Sequence, residues 1–432
     1  MITTEELYPY YLENPVISTD TRNITPGCIF FALKGDNFNA NQFAAQAIAK
    51  GASYAVVDEA GFATDRCLLV DDSLTALQAL ARYHRKQLTI PVIGLTGSNG
   101  KTTSKELVNA VLAERYKTFA TFGNLNNHIG VPLSVLSISK DVEIAVIEMG
   151  ANHQKEIELL CTIAQPTHGI ITNVGMAHLD GFGGFEGVKK GKAELYAYLK
   201  QNNGYTFINR DNLFLMGMSA AAGLNKLIYY GTENGNTIKG TLTSSDPFIE
   251  VNWTNHDIDS QVKTNLTGSY NFENILAAIC IGDFFDMHPE EINRGLANYQ
   301  PKNNRSQLIK TDRNTVICDF YNANPSSMAA ALNNIAVLTA AKKTAILGDM
   351  FELGPESAQQ HELIVKQATD SNLDEIIFIG KYFYSFKNKF KAVFFEMPEE
   401  AIGYLQDNQI ENNLVLLKGS RGMKLESLLQ YL

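Results

Sequence analysis

The stretch G94-L-T-G-S-N-G-K-T-T-S-K-E106 decides the fold. It follows the β-branched run VIGLT (92–96) and opens a segment of helical period, TTSKELVNAVLAERY. Gly97 and Gly100 let the backbone curl, so that the amides of Ser98, Asn99, Gly100 and Thr103 turn inward toward phosphate oxygens. Lys101 adds a point charge, and the Thr102 hydroxyl is a magnesium ligand by type. The spacing departs from G-x-x-x-x-G-K-[ST], because position 95 is Leu. An ordinary glycine-rich turn is the alternative, but strand before and helix after favour an ATP or GTP site.

Outward from this loop the same alternation continues. VEIAVIEMG (142–150) precedes HQKEIELLCTIA, and HGIITNVG (168–175) precedes GVKKGKAELYAYLK. Such alternation predicts βαβ units on a buried parallel sheet. Residues 237–267 change to half-buried alternation (FIEVNW) with many turn residues, which predicts a few antiparallel strands. A second alternating block begins near 303, with TVICDF, KTAILGD, EIIFIG and NLVLLKG as strands. Its first turn, YNANP, puts Pro325 where the first turn of a helix accepts proline. The first 88 residues read as a smaller mixed α/β unit ending in ALQALARYHRKQL. Pro91 and Pro301 lie near the joins, so the expected domains are 1–88, 89–300 and 301–432. The fold class is α/β, with a small mixed N-terminal domain, a central P-loop domain on a mainly parallel sheet, and a Rossmann-like C-terminal domain.

A chain of 432 residues is too long for one core and accommodates this division. With 45% hydrophobic and 19% charged residues it has the balance of a soluble globular protein. Its net charge of −10 argues against sequence-independent nucleic-acid binding, while leaving room for an anion in a local positive pocket. The five cysteines, Cys28, Cys67, Cys161, Cys280 and Cys318, are odd in number and form no Cys-x-x-Cys pair. A disulfide framework or zinc site is therefore not expected, and a reducing compartment fits. MITTEELYPYYLE lacks the basic and apolar runs of a secretory leader, and LAAICIGDFF is broken by Asp283 before it spans a bilayer. A cytoplasmic protein with no membrane insertion is expected.

Further candidates lie just beyond strand ends, where open α/β sheets bind ligands. Glu148 closes VIEMG and is either a magnesium carboxylate or a solvated strand-end acid. His178, in NVGMAHLDGF, is either functional or structural. Lys192, in KKGKAELY, reads by spacing alone as a solvated helix charge. Asn209 and Asp211, in INRDN, either touch nucleotide or cap the next helix.

Taken in order, these pieces resemble the Mur ligase family, the ATP-dependent amide-bond-forming enzymes of peptidoglycan synthesis. STDTR (18–22) and GCIFFALKGDNF (27–38) are similar to the UDP-binding domain of that family. TGSNGKTT (96–103), EMGA (148–151), NVGMAHLDGF (173–182), GKAELY (191–196), INRDN (208–212) and GSYNFENILAA (268–278) are similar to its ATPase domain. TFGNLNNHIGVP (121–132), YNANPSSM (321–328), ILGDMFELG (346–354) and LLKGSRGMKLE (416–426) resemble the branch that adds a terminal dipeptide. Sister enzymes that add a diamino acid usually carry Ala-His-x-Pro where this chain has Asn-Ala-Asn-Pro.

The resemblance implies a chemistry. ATP phosphorylates the terminal carboxylate of UDP-N-acetylmuramoyl-tripeptide, and the amine of D-alanyl-D-alanine attacks the acyl phosphate. The difficulty is charge, since two like unit charges at 4 Å repel by ~4 kcal/mol at an effective dielectric near 20. Two Mg²⁺ ions and fixed cations must offset that repulsion. By resemblance, Lys101, Glu148, His178 and Lys192 carry the reaction. Thr102 and Glu148 hold one Mg²⁺, and His178 and Lys192 serve the second, Lys192 as a carbamate. That adduct requires a neutral amine, which burial favours. Asn271 and Asn274 face the adenine side, with Arg305 and Asp319 on phosphate and ribose. Ser18, Asp20, Arg22 and Lys34 grip the uridine nucleotide, and Asn126 and Asn127 line the sugar-peptide channel. Tyr321, Asn322, Asn324, Lys418, Ser420 and Arg421 form the dipeptide pocket. A monomer that binds no nucleic acid is expected.

Three segments depart from the family pattern. Tyr270 stands where a His is common, so ring stacking replaces a hydrogen bond. Cys318-Asp319-Phe320 retains one acid of the usual Asp-Asp-Ser, and Asn39-Ala40-Asn41 replaces an acidic or glycine–histidine turn. Two other readings stay open. One is another amide ligase of the superfamily, either the diamino-acid-adding sister or a folylpolyglutamate synthase. The second is a nucleotide-gated binding module that hydrolyses ATP without an acyl acceptor.

Overall fold

The computed structural model describes residues 1–255, 258–302 and 304–432. Three sheets carry the architecture. The first has four parallel strands, Ile17–Ser18, Ile29–Phe31, Tyr54–Val57 and Cys67–Leu69, in that spatial order. The second has nine strands and places Val92–Thr96 third from one edge, between Ile144–Glu148 and His168–Ile171. All five residues of Val92–Thr96 are buried, as helices on both faces of a parallel sheet require. The expected antiparallel strands are Ile238–Ser244, Glu250–Thr254 and Asp259–Lys263. They extend this sheet, because Ile238–Ser244 also pairs in parallel with Lys226–Gly231.

The third sheet has six strands, parallel except for the edge strand Gln307–Lys310. Within it Thr315–Asp319 lies beside Leu414–Lys418, in a register that sets Asp319 opposite Lys418. Both side chains therefore stand at carboxyl ends of adjacent strands, on the edge that faces the phosphate loop. The following helix, Pro325–Val337, begins with proline and is capped by Asn324, whose side chain accepts from the Ser327 amide at 2.9 Å.

The three parts join in different ways. Helix Ser73–Gln87 starts at the Asp72 cap and buries Leu77, Leu80 and Ala81. One apolar cluster runs unbroken from Leu7, Val56 and Leu77 into Val131 and Ile147 of the central sheet layer. Arg85 on this helix donates to the carbonyls of Ala164 (2.9 Å) and Gln165 (3.1 Å), and the Tyr11 hydroxyl to that of Leu136 (2.6 Å). The apolar clusters of the third part, by contrast, draw only on residues beyond 307. Polar bonds link it to the centre, such as the Thr339 amide on the Asp246 carboxylate at 3.1 Å. Among the described residues no helix is long and apolar enough to cross a membrane. The five cysteines are free thiols.

Candidate active site

The loop after Val92–Thr96 is fixed by its glycines. Gly97 has φ +152°, and a Cβ there would stand 2.0 Å from Thr172 Oγ1. Gly100 has φ +75°, and a Cβ would meet Asn274 Oδ1 at 2.7 Å. Side chains tie the loop to the segment after His168–Ile171. Ser98 Oγ accepts from the Gly175 amide (2.9 Å) and donates to the Gly175 carbonyl (3.1 Å). Asn99 donates its amide to Asn173 Oδ1 at 2.9 Å, and its carbonyl accepts from Thr172 Oγ1 at 2.6 Å. Lys101 curls back over this turn, its ammonium donating to the carbonyls of Gly97 (2.8 Å) and Ser98 (3.0 Å). Burial pulls the Lys101 pKa down to about 8, with Glu148 opposing and Arg305 adding to the depression.

Glu148 is 1% exposed, so it is no solvated strand end. Its Oε1 accepts from Asn126 Nδ2 (2.8 Å) and Thr102 Oγ1 (3.2 Å). Its Oε2 is buried without a hydrogen-bond partner. A buried anionic oxygen in that state is costly, and a divalent cation satisfies it. Among the described residues no three His, Cys, Asp or Glu side chains form a closed metal cluster. The donor set suits Mg²⁺, which takes one or two protein oxygens and completes its shell with phosphate and water.

His178 has φ +53° and heads the short helix Leu179–Phe182. Its Nδ1 pairs with the carboxylate of Glu352, which comes from the third part of the molecule. Burial lowers the His178 pKa, Lys101 lowers it further, and Glu352 opposes. Lys192 is 2% exposed, with Nζ 5.2 Å from the centroid of the Phe182 ring. Desolvation first, and then Lys101, push its pKa well below the lysine range, against Glu156 and Glu194. The solvated-charge reading of Lys192 is therefore wrong for physical reasons: the amine sits against an aromatic face, out of water.

Asn271 and Asn274 are both buried and linked, Asn274 Nδ2 donating to Asn271 Oδ1 at 2.9 Å. Ser104 Oγ donates to Asn274 Oδ1 at 2.9 Å. Tyr270 meets Ser306 Oγ through its hydroxyl at 2.9 Å, a hydrogen bond where stacking was expected. Ser306 has φ +47°, and its amide donates to Asp319 Oδ1 at 3.2 Å. The neighbouring Arg305 guanidinium lies 3.8 Å from the centroid of the Tyr321 ring. Lys418, 1% exposed, donates to Asp319 Oδ2 at 2.6 Å. Phe320 and Cys318 are buried in the core of this sheet, which leaves Asp319 as the acid that reaches the site.

A cavity of about 720 Å³ gathers most of the predicted site. Ser98, Asn99, Gly100, Lys101 and Thr103 line it on the loop side, with Glu148, His178, Asn126, Asn127, Asn271 and Asn274 around them. Arg305, Asp319, Tyr321, Asn322, Asn324 and Lys418 complete the facing wall. Gly97, Thr102 and Lys192 stand behind the lining rather than in it. Ser420 accepts the Phe351 amide (2.9 Å) and donates its own to the Asp349 carbonyl (3.1 Å), so it holds a loop. Arg421 pairs with Glu426 at 3.4 Å and is exposed.

The predicted uridine residues lie outside this cavity lining. Arg22 pairs with Asp20 at 2.7 Å, and Ser18 Oγ donates to the Asp20 carbonyl at 3.2 Å. Lys34 pairs with Asp58 at 3.0 Å, and Asn41 Nδ2 donates to the same Asp58 oxygen at 2.7 Å. The Asn39-Ala40-Asn41 departure thus fastens the acid that holds Lys34. Asn212 caps helix Leu213–Ala222, which corrects the capping reading of Asn209 and Asp211. Asp211 instead accepts the Thr232 amide at 2.8 Å. Sequence reasoning missed Glu352, Ser306, Ser326, Glu273 and His128. Of these, Ser306 alone lay outside the quoted motifs; His128, Glu273, Ser326 and Glu352 sat inside them without being singled out.

Residues 95–282 match the Mur ligase middle domain, and residues 304–421 match the Mur ligase glutamate ligase domain. The UDP-N-acetylmuramoyl-tripeptide–D-alanyl-D-alanine ligase of Bacillus subtilis is 34% identical over 426 residues, covering 96% of this chain and 92% of that one. A crystal structure of MurF from Acinetobacter baumannii superimposes with a TM-score of 0.87 at 33% identity, over 96% of this chain and 92% of the other. MurF ligase from Thermotoga maritima in complex with ADP gives 0.86 at 26% identity, over 97% of each chain. Sequence and architecture agree along nearly the whole length, and the chain belongs to the Mur ligase family.

Proposed function

We propose that this enzyme joins D-alanyl-D-alanine to UDP-N-acetylmuramoyl-tripeptide with ATP, giving the UDP-N-acetylmuramoyl-pentapeptide, ADP and phosphate. One observation carries the reading: a single cavity holds the phosphate loop and Glu148 on one wall and Arg305, Asp319, Tyr321 and Lys418 on the other. Nucleotide and acceptor amine thus meet at one place. Loop amides and Lys101 cradle the phosphates, while Asn271 and Asn274 face the base. Arg305, stacked on Tyr321, is held where charge builds on the transferred phosphoryl group.

Glu148 and Thr102 would hold Mg²⁺, which would supply charge neutralisation between the phosphates and the incoming carboxylate. His178 and Lys192 serve a second ion. Lys192 does so as a carbamate, its neutral amine adding to CO₂ with loss of one proton. Desolvation of its amine supports this reading. Asn126, bonded to Glu148, carries the channel wall toward the tripeptide. Ser18, Asp20, Arg22 and Lys34 take the uridine nucleotide, and Tyr321, Asn322 and Arg421 the dipeptide, on a wall that Lys418 shapes through its pair with Asp319. The division into 1–88, 89–300 and 301–432 gives each substrate its own domain in a cytoplasmic monomer.

Phosphate release over a matrix of acceptor nucleotides and amines tests this. Release that needs both tripeptide nucleotide and dipeptide is the expected result. Turnover with a free diamino acid in place of the dipeptide replaces the reading with the sister enzyme, and acceptor-independent hydrolysis replaces it with a nucleotide-gated module. For the carbamate, Lys192→Ala loses turnover and short carboxylates restore part of it. Undiminished turnover in Lys192→Ala removes that role.

A further inference from the structure

Asn99 lies between the two loop glycines, and its side chain turns away from the loop. Its Oδ1 accepts from Asn324 Nδ2 at 2.7 Å, and its Nδ2 donates to Ser326 Oγ at 3.1 Å. Ser326 Oγ in turn donates to Asn324 Oδ1 at 2.9 Å, which closes a three-membered ring of hydrogen bonds. Asn324 and Ser326 belong to the opposite wall, directly after Tyr321 and Asn322. The backbone of Asn99 is fixed independently by Asn173 and Thr172. One residue therefore grips both halves of the cavity with separate groups.

The ring is tightly packed on its Gly175 side. A Cβ on Gly175 would stand 2.8 Å from Ser326 Oγ and 3.1 Å from Asn99 Nδ2. Gly175 lies outside the left-handed region, so the absence of a side chain here serves space rather than backbone conformation. The Asn324 amide is largely committed, its Oδ1 to the helix cap and Ser326 and one Nδ2 hydrogen to Asn99. One amide hydrogen is left over.

We propose that Asn99, Asn324 and Ser326 form a latch that seats the dipeptide-binding wall on the phosphate loop. Asn99 and Ser326 are then positioning residues for the amide-forming step, and Asn324 moves from the dipeptide pocket to the latch. The proposal rests on the ligase reading above. Wild-type dependence on dipeptide tests that reading separately, so the two can fail independently.

The test is steady-state phosphate release by Asn99→Ala, Ser326→Ala, their combination, and Gly175→Ala, with tripeptide nucleotide, dipeptide and ATP varied in turn. A latch acts as a unit, so the combined variant should lose no more than the worse single one. Each single variant should lose about tenfold in kcat/KM for dipeptide, a loss larger than that for ATP. Gly175→Ala should reproduce the loss from within the central domain by wedging the ring apart, and it carries the test if Asn99→Ala does not fold. Multiplying losses in the combined variant overturn the proposal. So does a dipeptide kcat/KM at the wild-type level in Ser326→Ala or Gly175→Ala.

Discussion

Two sheets each bring an acid and a lysine to the cavity, and they use them in opposite ways. In the third sheet Lys418 and Asp319 are closed on each other at 2.6 Å, and Asp319 also takes the Ser306 amide. In the central sheet Lys101 donates to loop carbonyls, and Glu148 keeps one buried oxygen without a partner. The closed pair is finished and shapes the wall that carries Arg305 and Tyr321. The open pair has its charges desolvated and incompletely matched, which is the condition of groups that await a cation and a phosphate. A completed ion pair here preorganises, whereas an incomplete one binds.

The largest effect that separates these roles is expected from Glu148→Gln. It keeps the hydrogen-bond geometry to Thr102 and Asn126 but removes the charge, and turnover should fall by about 10²–10³-fold. Titration with Mg²⁺ should show weaker metal dependence; unaltered Mg²⁺ dependence would erase the distinction between the pairs. Lys418→Met comes next, because it strands a largely buried carboxylate. It should lower unfolding stability by about 3 kcal/mol in a denaturant titration. A loss of turnover with no loss of stability would mean that Lys418 acts on substrate directly.

Smaller, and opposite in sign for two observables, is the pH response of Lys101. With its pKa pulled from 10.5 to about 8, the ammonium proposed to meet phosphate is lost as pH rises through 8. The kcat/KM for ATP should fall above that point, about tenfold per pH unit. Between pH 8 and 10.5 the unfolded chain holds a proton that the folded one has released, so this group makes stability rise with pH. Lys101→Arg should flatten both slopes. The smallest effect belongs to Arg22→Ala, where an exposed pair with Asp20 is lost. Melting temperature should not move, while KM for the uridine nucleotide rises several-fold. A shift in melting temperature would show that the pair is structural after all.

The strands around the loop were legible because buried parallel strands are written as short β-branched runs; VIGLT is the observed strand, and VEIAVIEMG (142–150) contains Ile144–Glu148. Pro325 at a helix start was legible from its locked φ. Contacts between distant segments were not. Asn99 meets Ser326 across 227 residues, and His178 meets Glu352 across 174, with no local pattern to announce either. The left-handed backbone at Ser306 carries no glycine, so nothing marked the turn that aims Arg305. Lys192 was hidden inside a basic run. The clue was its neighbour Gly191, a mid-helix glycine where a Cβ would strike the Phe182 ring at 2.5 Å.

The unbroken apolar seam between the N-terminal part and the central sheet makes those two a single stiff frame. On the proposed assignment, its two ends hold the uridine and the carboxylate to be phosphorylated, and the continuous core between them resists a change in their spacing. Such a frame works as a gauge of peptide length. An acceptor shortened by one residue falls roughly 3.5 Å short of the γ-phosphate, so a stem of the wrong length is rejected by distance before any side chain is read.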